Sequence, residues 1–182
     1  MKVTPTNVND VVIVESKVFS DDRGFFTEVF RDEHFAALNL PTCFAQDNHS
    51  RSYKNVLRGL HFQRERPQGK LVRPVRGTVF DVAVDLRRSS TTFGKWTGTT
   101  LVAGDGRQLW IPPGFAHGFF VLSEEADISY KCTTVYHHES HCSLLWNDPA
   151  LAIDWPIPPG ATPILSGNDA GATPFSGIHT FP

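Results

Sequence analysis

The chain has too few cysteines for a disulfide framework: only Cys43, Cys132 and Cys142 among 182 residues, an odd number that cannot all pair. No two of them stand in a C-x-x-C spacing, so the usual sequence signal of a structural zinc site is missing too. Three reduced thiols in the cytoplasm are expected. An excess of one charge is also absent. Lysine and arginine number 17 against 19 acidic residues, a net charge of −2, with both signs interspersed. That balance gives no compositional case for a nucleic-acid partner, although a few placed arginines could hold a phosphorylated small molecule. No apolar run approaches the roughly 20 residues that span a bilayer. Met1–Asn9 lacks the charged-then-apolar pattern of a signal peptide, so neither membrane insertion nor export is expected. Helical periodicity is scarce, and nothing helical alternates with the strand-like runs, which argues against a parallel βαβ sheet.

What is present is punctuation. Fourteen glycines and 13 prolines break up runs rich in Val, Phe, Thr and Tyr, the pattern of many short strands joined by tight turns. Strands are expected over Val11–Ser16, Gly24–Phe30, Phe44–Ser50, Val56–Gln63, Lys70–Arg76 and Thr78–Leu86, then Gly94–Leu101, Gln108–Ile111, Gly118–Leu122 and Ala126–Tyr136. One short helix is expected over Glu33–Leu38, with Asp32 as its N-cap. The length suits one domain, residues 1–182. Antiparallel strands in such a chain must hide their edges, so an all-β jelly-roll barrel or sandwich with a few short helices is predicted. Beyond Trp155 the pattern degrades. Pro156–Gly160 and Gly167–Pro174 read as irregular chain wrapping the outside or capping a mouth, and residues 170–182 as an irregular C-terminal tail.

Alternation assigns faces. In Val79-Phe-Asp-Val-Ala-Val-Asp-Leu86 one row (Phe80, Val82, Val84, Leu86) is wholly apolar. The other (Val79, Asp81, Ala83, Asp85) carries two carboxylates and is expected to look into a polar cavity or water. In Ile128–Tyr136 the same test groups Tyr130, Cys132 and Tyr136, with Lys131 and Thr133 facing away.

Two segments carry chemistry: Leu57-Arg-Gly-Leu-His-Phe-Gln63 and Trp110-Ile-Pro-Pro-Gly-Phe-Ala-His-Gly-Phe119. The second resembles the latter half of the cupin signature, whose histidine often joins an H-x-H pair and a glutamate around a metal. Here the first segment reads His61-Phe62-Gln63, with an amide in place of the second imidazole. His61 and His117 alone make a poor metal site. Arg58 and Lys70 lie close by in sequence. Strict alternation would put Arg58 opposite His61, but Gly59 is where a bulge could bring both to one face. A cavity holding a histidine, two cations and a tyrosine suits proton abstraction beside a carbonyl: the histidine takes the proton, a cation stabilises the enolate, and a phenol returns a proton. Taken singly, each of these residues is more often structural than functional.

Longer ordered stretches carry a resemblance. They are Asp21-Asp-Arg-Gly-Phe-Phe-Thr-Glu28, Gln46-Asp-Asn-His-Ser-Arg-Ser52, Val56–Gln63, Phe80-Asp-Val-Ala-Val-Asp-Leu-Arg87, Phe93-Gly-Lys-Trp96, Ile111–Phe119, Tyr130-Lys-Cys-Thr133 and Trp146-Asn-Asp-Pro149. Together the chain from about Val11 to Asp169 resembles the dTDP-4-dehydrorhamnose 3,5-epimerases. The resemblance implies a metal-free, cofactor-independent cupin-type isomerase working as a homodimer that exchanges part of its N-terminal segment. It implies epimerisation at C3 and C5 of dTDP-4-dehydro-6-deoxy-D-glucose, giving dTDP-4-dehydro-L-rhamnose. It assigns His61 as base, Tyr130 as acid, Asp169 as the carboxylate that orients the histidine, and Lys70 as enolate stabiliser or substrate contact. For substrate binding it points to Arg23, Phe26 and Glu28, which would serve the partner's site, and to Gln46, Asn48, Arg58 and His117. Asp47 would face away from that cluster. Asp81 could instead hold His117 in one tautomer, making both more architectural than catalytic.

The chain departs from the family pattern in Tyr136-His-His-Glu-Ser-His-Cys142, where His141 falls at a common acidic substrate contact. It departs again at Asn168, where a lysine is frequent. Tyr136 keeps an aromatic on the sugar side. These departures touch substrate grip rather than proton transfer. Three alternatives stay open: a relative inverting only C3 or C5 of a related nucleotide-linked sugar, a metal-dependent cupin oxygenase or isomerase, and a catalytically dead sugar-binding cupin, against which retention of His61 and Tyr130 argues.

Overall fold

A single residue, Gly77, separates two strands that belong to different sheets. Its φ of +74° is open to glycine at no steric cost, and a Cβ there would lie 2.1 Å from the Glu125 carbonyl oxygen. The computed structural model describes residues 1–182. Its strands are β1 (Lys2–Pro5), β2 (Val12–Glu15), β3 (Val18–Asp21), β4 (Gly24–Thr27), β5 (Gln46–Tyr53), β6 (Leu57–Gln63), β7 (Lys70–Arg76), β8 (Thr78–Asp85), β9 (Trp96–Val102), β10 (Arg107–Ile111), β11 (Phe115–Val121), β12 (Glu125–Cys132) and β13 (His141–Ser143). A six-stranded sheet runs β1-β2-β10-β7-β12-β5, a five-stranded sheet runs β13-β6-β11-β8-β9, and β3-β4 form a separate ribbon. The paired strands in all three are antiparallel. The predicted jelly-roll sandwich is therefore the observed architecture.

The main core lies between the two large sheets. Val72, Leu109, Ile111 and Ile128 from one meet Val79, Ala83, Leu101, Phe115, Phe119 and Val121 from the other. A second core covers the outer face of the five-stranded sheet, where Val82, Val84 and Leu86 pack with Leu144, Leu151 and Trp155. A third seats Phe35 of helix α1 (Asp32–Ala37) with Val14, Leu71 and Trp110. Full burial of each such side chain contributes roughly 1.5–3 kcal/mol.

These layers correct the reading of β8. Its carboxylate row faces neither water nor an open cavity: Asp81 and Asp85 are both fully buried. Each is satisfied internally, Asp81 by His117 Nε2 at 2.9 Å and Asp85 by Arg87 and the Thr92 hydroxyl. The opposite row is roofed by the chain after residue 144. That chain wraps the outside as expected, but it is less irregular than its composition suggests. Gly167–Ala170 form a short helix, α2, and Phe175–Gly177 a 3-10 turn. Phe181 is bridged to Arg87, so the final residues are tied down.

Other boundaries shift as well. The last long strand stops at Cys132 and not at Tyr136, and β11 begins at Phe115, three residues ahead of the expected Gly118. Helix α1 starts at Asp32, so Arg31 is its N-cap and Asp32 accepts a hydrogen bond from its neighbour Glu33. Strands β1, β3 and β13 carried no recognised signal. They are three or four residues long and owe their identity to the strands they pair with.

Candidate active site

The site begins with a bulge on β6. His117 pairs with His61 and Phe119 with Arg58, so two steps on β11 oppose three on β6. Gly59 permits this: its φ is +123°, and a Cβ would stand 2.5 Å from Gly118 Cα and 2.8 Å from the His117 oxygen. The bulge brings Arg58 and His61, which strict alternation separates, to one face.

His61 is part-exposed and directs Nε2 at Asp169 Oδ1, 2.5 Å away. Asp169 lies on α2, where Ser166 caps the helix by accepting from the Asp169 amide and donates its hydroxyl to Oδ2 at 2.8 Å. The carboxylate is only 2% exposed. Burial pushes its pKa up, but the His61 hydrogen bond and charge, with help from Ser166 and the Gly59 amide, hold it below the ordinary value. An ionised carboxylate only accepts, so Nε2 carries the ring proton and Nδ1 keeps its lone pair for chemistry.

Tyr130 comes from the other sheet. It stands on β12 and lines the same cavity as His61, together with Lys70, Tyr136 and His141. The phenol is pushed up in pKa by burial and further by Cys132, with Arg58 opposing. Lys70, at the start of β7, is 9% exposed and reaches across to the His61 carbonyl at 3.4 Å. Burial lowers its pKa, while Cys132 and Asp81 oppose that shift. Gln46 and Asn48 on β5 complete this side of the wall. Asp47, between them, turns away to Lys131 at 2.7 Å.

His141 is set by the pairing of β13 with β6, which places its ring 4.9 Å from that of His61. Burial lowers its pKa, and His61 and Lys70 lower it further. Tyr136 packs on it at 5.9 Å between ring centroids. Asn168 lines an adjoining groove that shares Tyr136 and His141 with the cavity.

Other expected site residues are outside the cavity lining, although Arg58 lies near enough to act on the Tyr130 phenol and His117 pairs across from His61. His117 is buried, outside the lining, with both Asp81 oxygens within 3.1 Å of Nε2. Its pKa is lowered by burial against the opposing Asp81 charge. Arg58 donates to the Ser52 hydroxyl at 2.8 Å and to the Arg51 carbonyl. Arg23, Phe26 and Glu28 sit on or beside the β3-β4 ribbon and are not brought to His61 within the chain: Arg23 pairs with Asp21, Glu28 with Arg31 and His34, and Phe26 is 68% exposed. Neither His61 nor His117 belongs to a group of three or more His, Cys, Asp or Glu side chains that could hold an ion.

Sequence reasoning missed Gln63, Gln68 and Phe62 in the cavity wall, and Ser166 behind Asp169. Gln63 had a signal, because it lies two residues from His61 on one strand. Ser166-Gly-Asn-Asp169 had one too, as a capping-box pattern. Gln68, in the irregular chain before β7, had none.

Comparison with known proteins supplies the lineage. The model of the dTDP-4-dehydrorhamnose 3,5-epimerase family matches residues 5–177. The chain is 57% identical over 171 residues to the dTDP-4-dehydrorhamnose 3,5-epimerase of Escherichia coli (strain K12), covering 93% of this chain and 91% of that one. It is 51% identical to the enzyme of the same name from Pseudomonas aeruginosa, over the full length of both. Its fold superposes with a TM-score of 0.93 and 49% identity on the dTDP-6-deoxy-D-glucose-3,5-epimerase of Legionella pneumophila in complex with dTDP-4-keto-L-rhamnose, covering 98% of this chain and 94% of that one. With nearly the whole length matched, this chain belongs to the dTDP-4-dehydrorhamnose 3,5-epimerase family.

Proposed function

We propose that this protein is an isomerase that inverts C3 and C5 of dTDP-4-dehydro-6-deoxy-D-glucose, producing dTDP-4-dehydro-L-rhamnose. The observation that carries the reading is the placement of His61, backed by a buried carboxylate, and Tyr130 on opposite sheets around one cavity. Inversion needs a base on one side of the sugar ring and an acid on the other, and two facing sheets supply both.

In this mechanism His61 Nδ1 removes the proton next to the C4 ketone. The electrons move onto the ketone oxygen as an enolate, which the Lys70 ammonium stabilises. Tyr130, kept protonated by its burial, returns a proton to the opposite face of the same carbon. His61 then releases its proton to solvent and the Tyr130 phenolate regains one from solvent, after which the cycle repeats at the second carbon flanking the ketone. Asp169 stabilises the imidazolium formed at each abstraction. No step calls for a cofactor.

Substrate grip is assigned to Gln46, Asn48, Arg58, Tyr136 and His141, with His117 held by Asp81 in a supporting place. Arg23, Phe26 and Glu28 are assigned to the nucleotide in a partner copy's site, within a homodimer that exchanges its N-terminal segment. An exposed ribbon supports that assignment: Phe19, Phe25 and Phe26 are 52%, 62% and 68% exposed, a costly arrangement unless something covers them. Residues 1–182 are read as one epimerase domain. The cytoplasm is the proposed compartment, supported by three cysteines that stand unpaired; no helix is long and apolar enough to cross a membrane.

The test is incubation with the keto sugar in heavy water. Deuterium uptake at C3 and C5, read by NMR and unaffected by chelators, is expected. Uptake at one centre selects the narrower relative, loss on chelation selects the metal-dependent cupin, and no uptake from any nucleotide-linked keto sugar sinks the proposal.

A further inference from the structure

Beyond Cys132 the chain leaves the sheet, yet it carries Tyr136 into the cavity wall. A segment without strand partners must still satisfy its peptide groups. Three glutamine side chains do this for four consecutive residues. Gln68 Nε2 donates to the Thr134 carbonyl at 2.8 Å. Gln63 Nε2 donates to the Val135 carbonyl at 3.4 Å and to the Arg66 carbonyl at 2.9 Å, while its Oε1 accepts from the His137 amide at 2.8 Å. Gln46 Oε1 accepts from the Tyr136 amide at 2.7 Å. These glutamines come from β5, β6 and the loop before β7, and all three also line the cavity.

Gln63 occupies the place where a metal-binding cupin would have its second histidine. A neutral imidazole offers one donor and one acceptor, whereas an amide offers two donors and an acceptor oxygen. All of these are used here, on a side chain only 2% exposed. The amide therefore has a definite task in this fold.

We infer that Gln63 and Gln68, beside the substrate contact Gln46, are positioning residues that act through Tyr136 and set the balance between inversion at the two carbon centres. This inference rests on the proposed epimerisation. One His61–Tyr130 pair has to reach both carbons flanking the ketone, so the sugar ring must be re-seated between the two proton transfers. Tyr136, packed on His141, is the wall that limits that movement. Gln46 holds the Tyr136 amide, and Gln63 and Gln68 hold its neighbours Thr134, Val135 and His137, so loosening the latter two frees the wall without replacing base or acid.

The experiment compares deuterium uptake at C3 and at C5 in the native protein, Gln63→Met, Gln68→Met, Tyr136→Ala and the double variant Gln63→Met with Tyr136→Ala. In Gln63→Met the ratio of the two uptake rates should change by at least about tenfold, and by up to ~10²-fold if the ring is displaced by an ångström. Gln68→Met, which loses one bond, should shift the ratio the same way by less, and it carries the test should Gln63→Met fail to fold. Tyr136→Ala should shift the ratio similarly, and adding Gln63→Met to it should change nothing further, since both act through one side chain. Equal falls at both centres in the glutamine variants would mean a purely structural role and overturn the inference. So would an unchanged ratio, or additive effects in the double variant. Absence of uptake by the native protein overturns the proposed function itself, and this inference with it.

Discussion

Replacing Asp169 by asparagine isolates what the buried carboxylate does for His61. The substitution keeps the shape and removes the charge. The least it can cost is the charge-assisted hydrogen bond to Nε2, about 1.5–3 kcal/mol, which is roughly 10- to 150-fold in rate. The geometry predicts more. Ser166 donates to Oδ2 and already accepts from the Asp169 amide. An asparagine would keep its oxygen on that hydroxyl and turn its NH2 towards His61. Nε2 would then accept, the ring proton would move to Nδ1, and the base would be silenced. A wrong-tautomer substitution of this kind costs ~10⁴-fold in the serine-protease triad, so kcat for Asp169→Asn is expected to fall about 10³- to 10⁴-fold. Adding Ser166→Ala should restore part of the rate, because the amide is then free to present its oxygen. Single-turnover deuterium uptake followed by NMR, with thermal melts to verify folding, measures both variants. An Asp169→Asn protein within about threefold of native kcat, well below the loss of one charged hydrogen bond, would refute the assignment of Nδ1 as the base.

Three further outcomes follow from the same geometry. Tyr130→Phe should lower net inversion by ~10²–10⁴-fold while some exchange survives, because His61 can still take and return its own proton; equal loss of exchange and inversion would contradict the assignment of Tyr130 as acid. Gly59→Ala must strain a φ of +123° and press a methyl group onto the Gly118 backbone, costing about 3 kcal/mol or more and lowering Tm by about 6–12 °C; an unchanged melt would show that the bulge tolerates a side chain. Asp127 is held at a pKa of about 2 by its Arg51 hydrogen bond, against the opposing effect of burial and with help from His49. A depressed carboxylate stabilises the fold fully above its unfolded pKa near 3.8 and loses that contribution as the pH falls through about 2. Thermal melts of Asp127→Asn should therefore converge on those of the native protein across that window and differ above it.

How much of this was legible beforehand can be judged residue by residue. Turn residues and alternation located the long strands, because β6, β7, β8 and β12 bury enough apolar surface to mark their own sequence. Strands β1, β3 and β13 bury little, and pairing alone creates them. The carboxylate row of β8 misled because alternation records which residues share a face but not what covers that face. Here His117 and Arg87 cover it. The N-cap moved from Asp32 to Arg31 because a backbone angle, and not a favourable side chain, ended the extended chain.

The sequence by itself determined the chemistry available: His61 beside an amide instead of a second imidazole, a tyrosine on a strand, a glycine where β6 had to bulge, and the family that these stretches match. Tertiary structure decided how those groups are used. It set His61 and Tyr130 on opposite sheets, brought Asp169 across 108 positions to the imidazole, and hung the segment from Thr134 to His137 on three glutamines. It also left Arg23, Phe26 and Glu28 on an exposed ribbon away from the cavity. The reason is physical. Composition and period are local properties of a chain, whereas tautomer, charge burial and ring position depend on contacts between segments that only folding brings together.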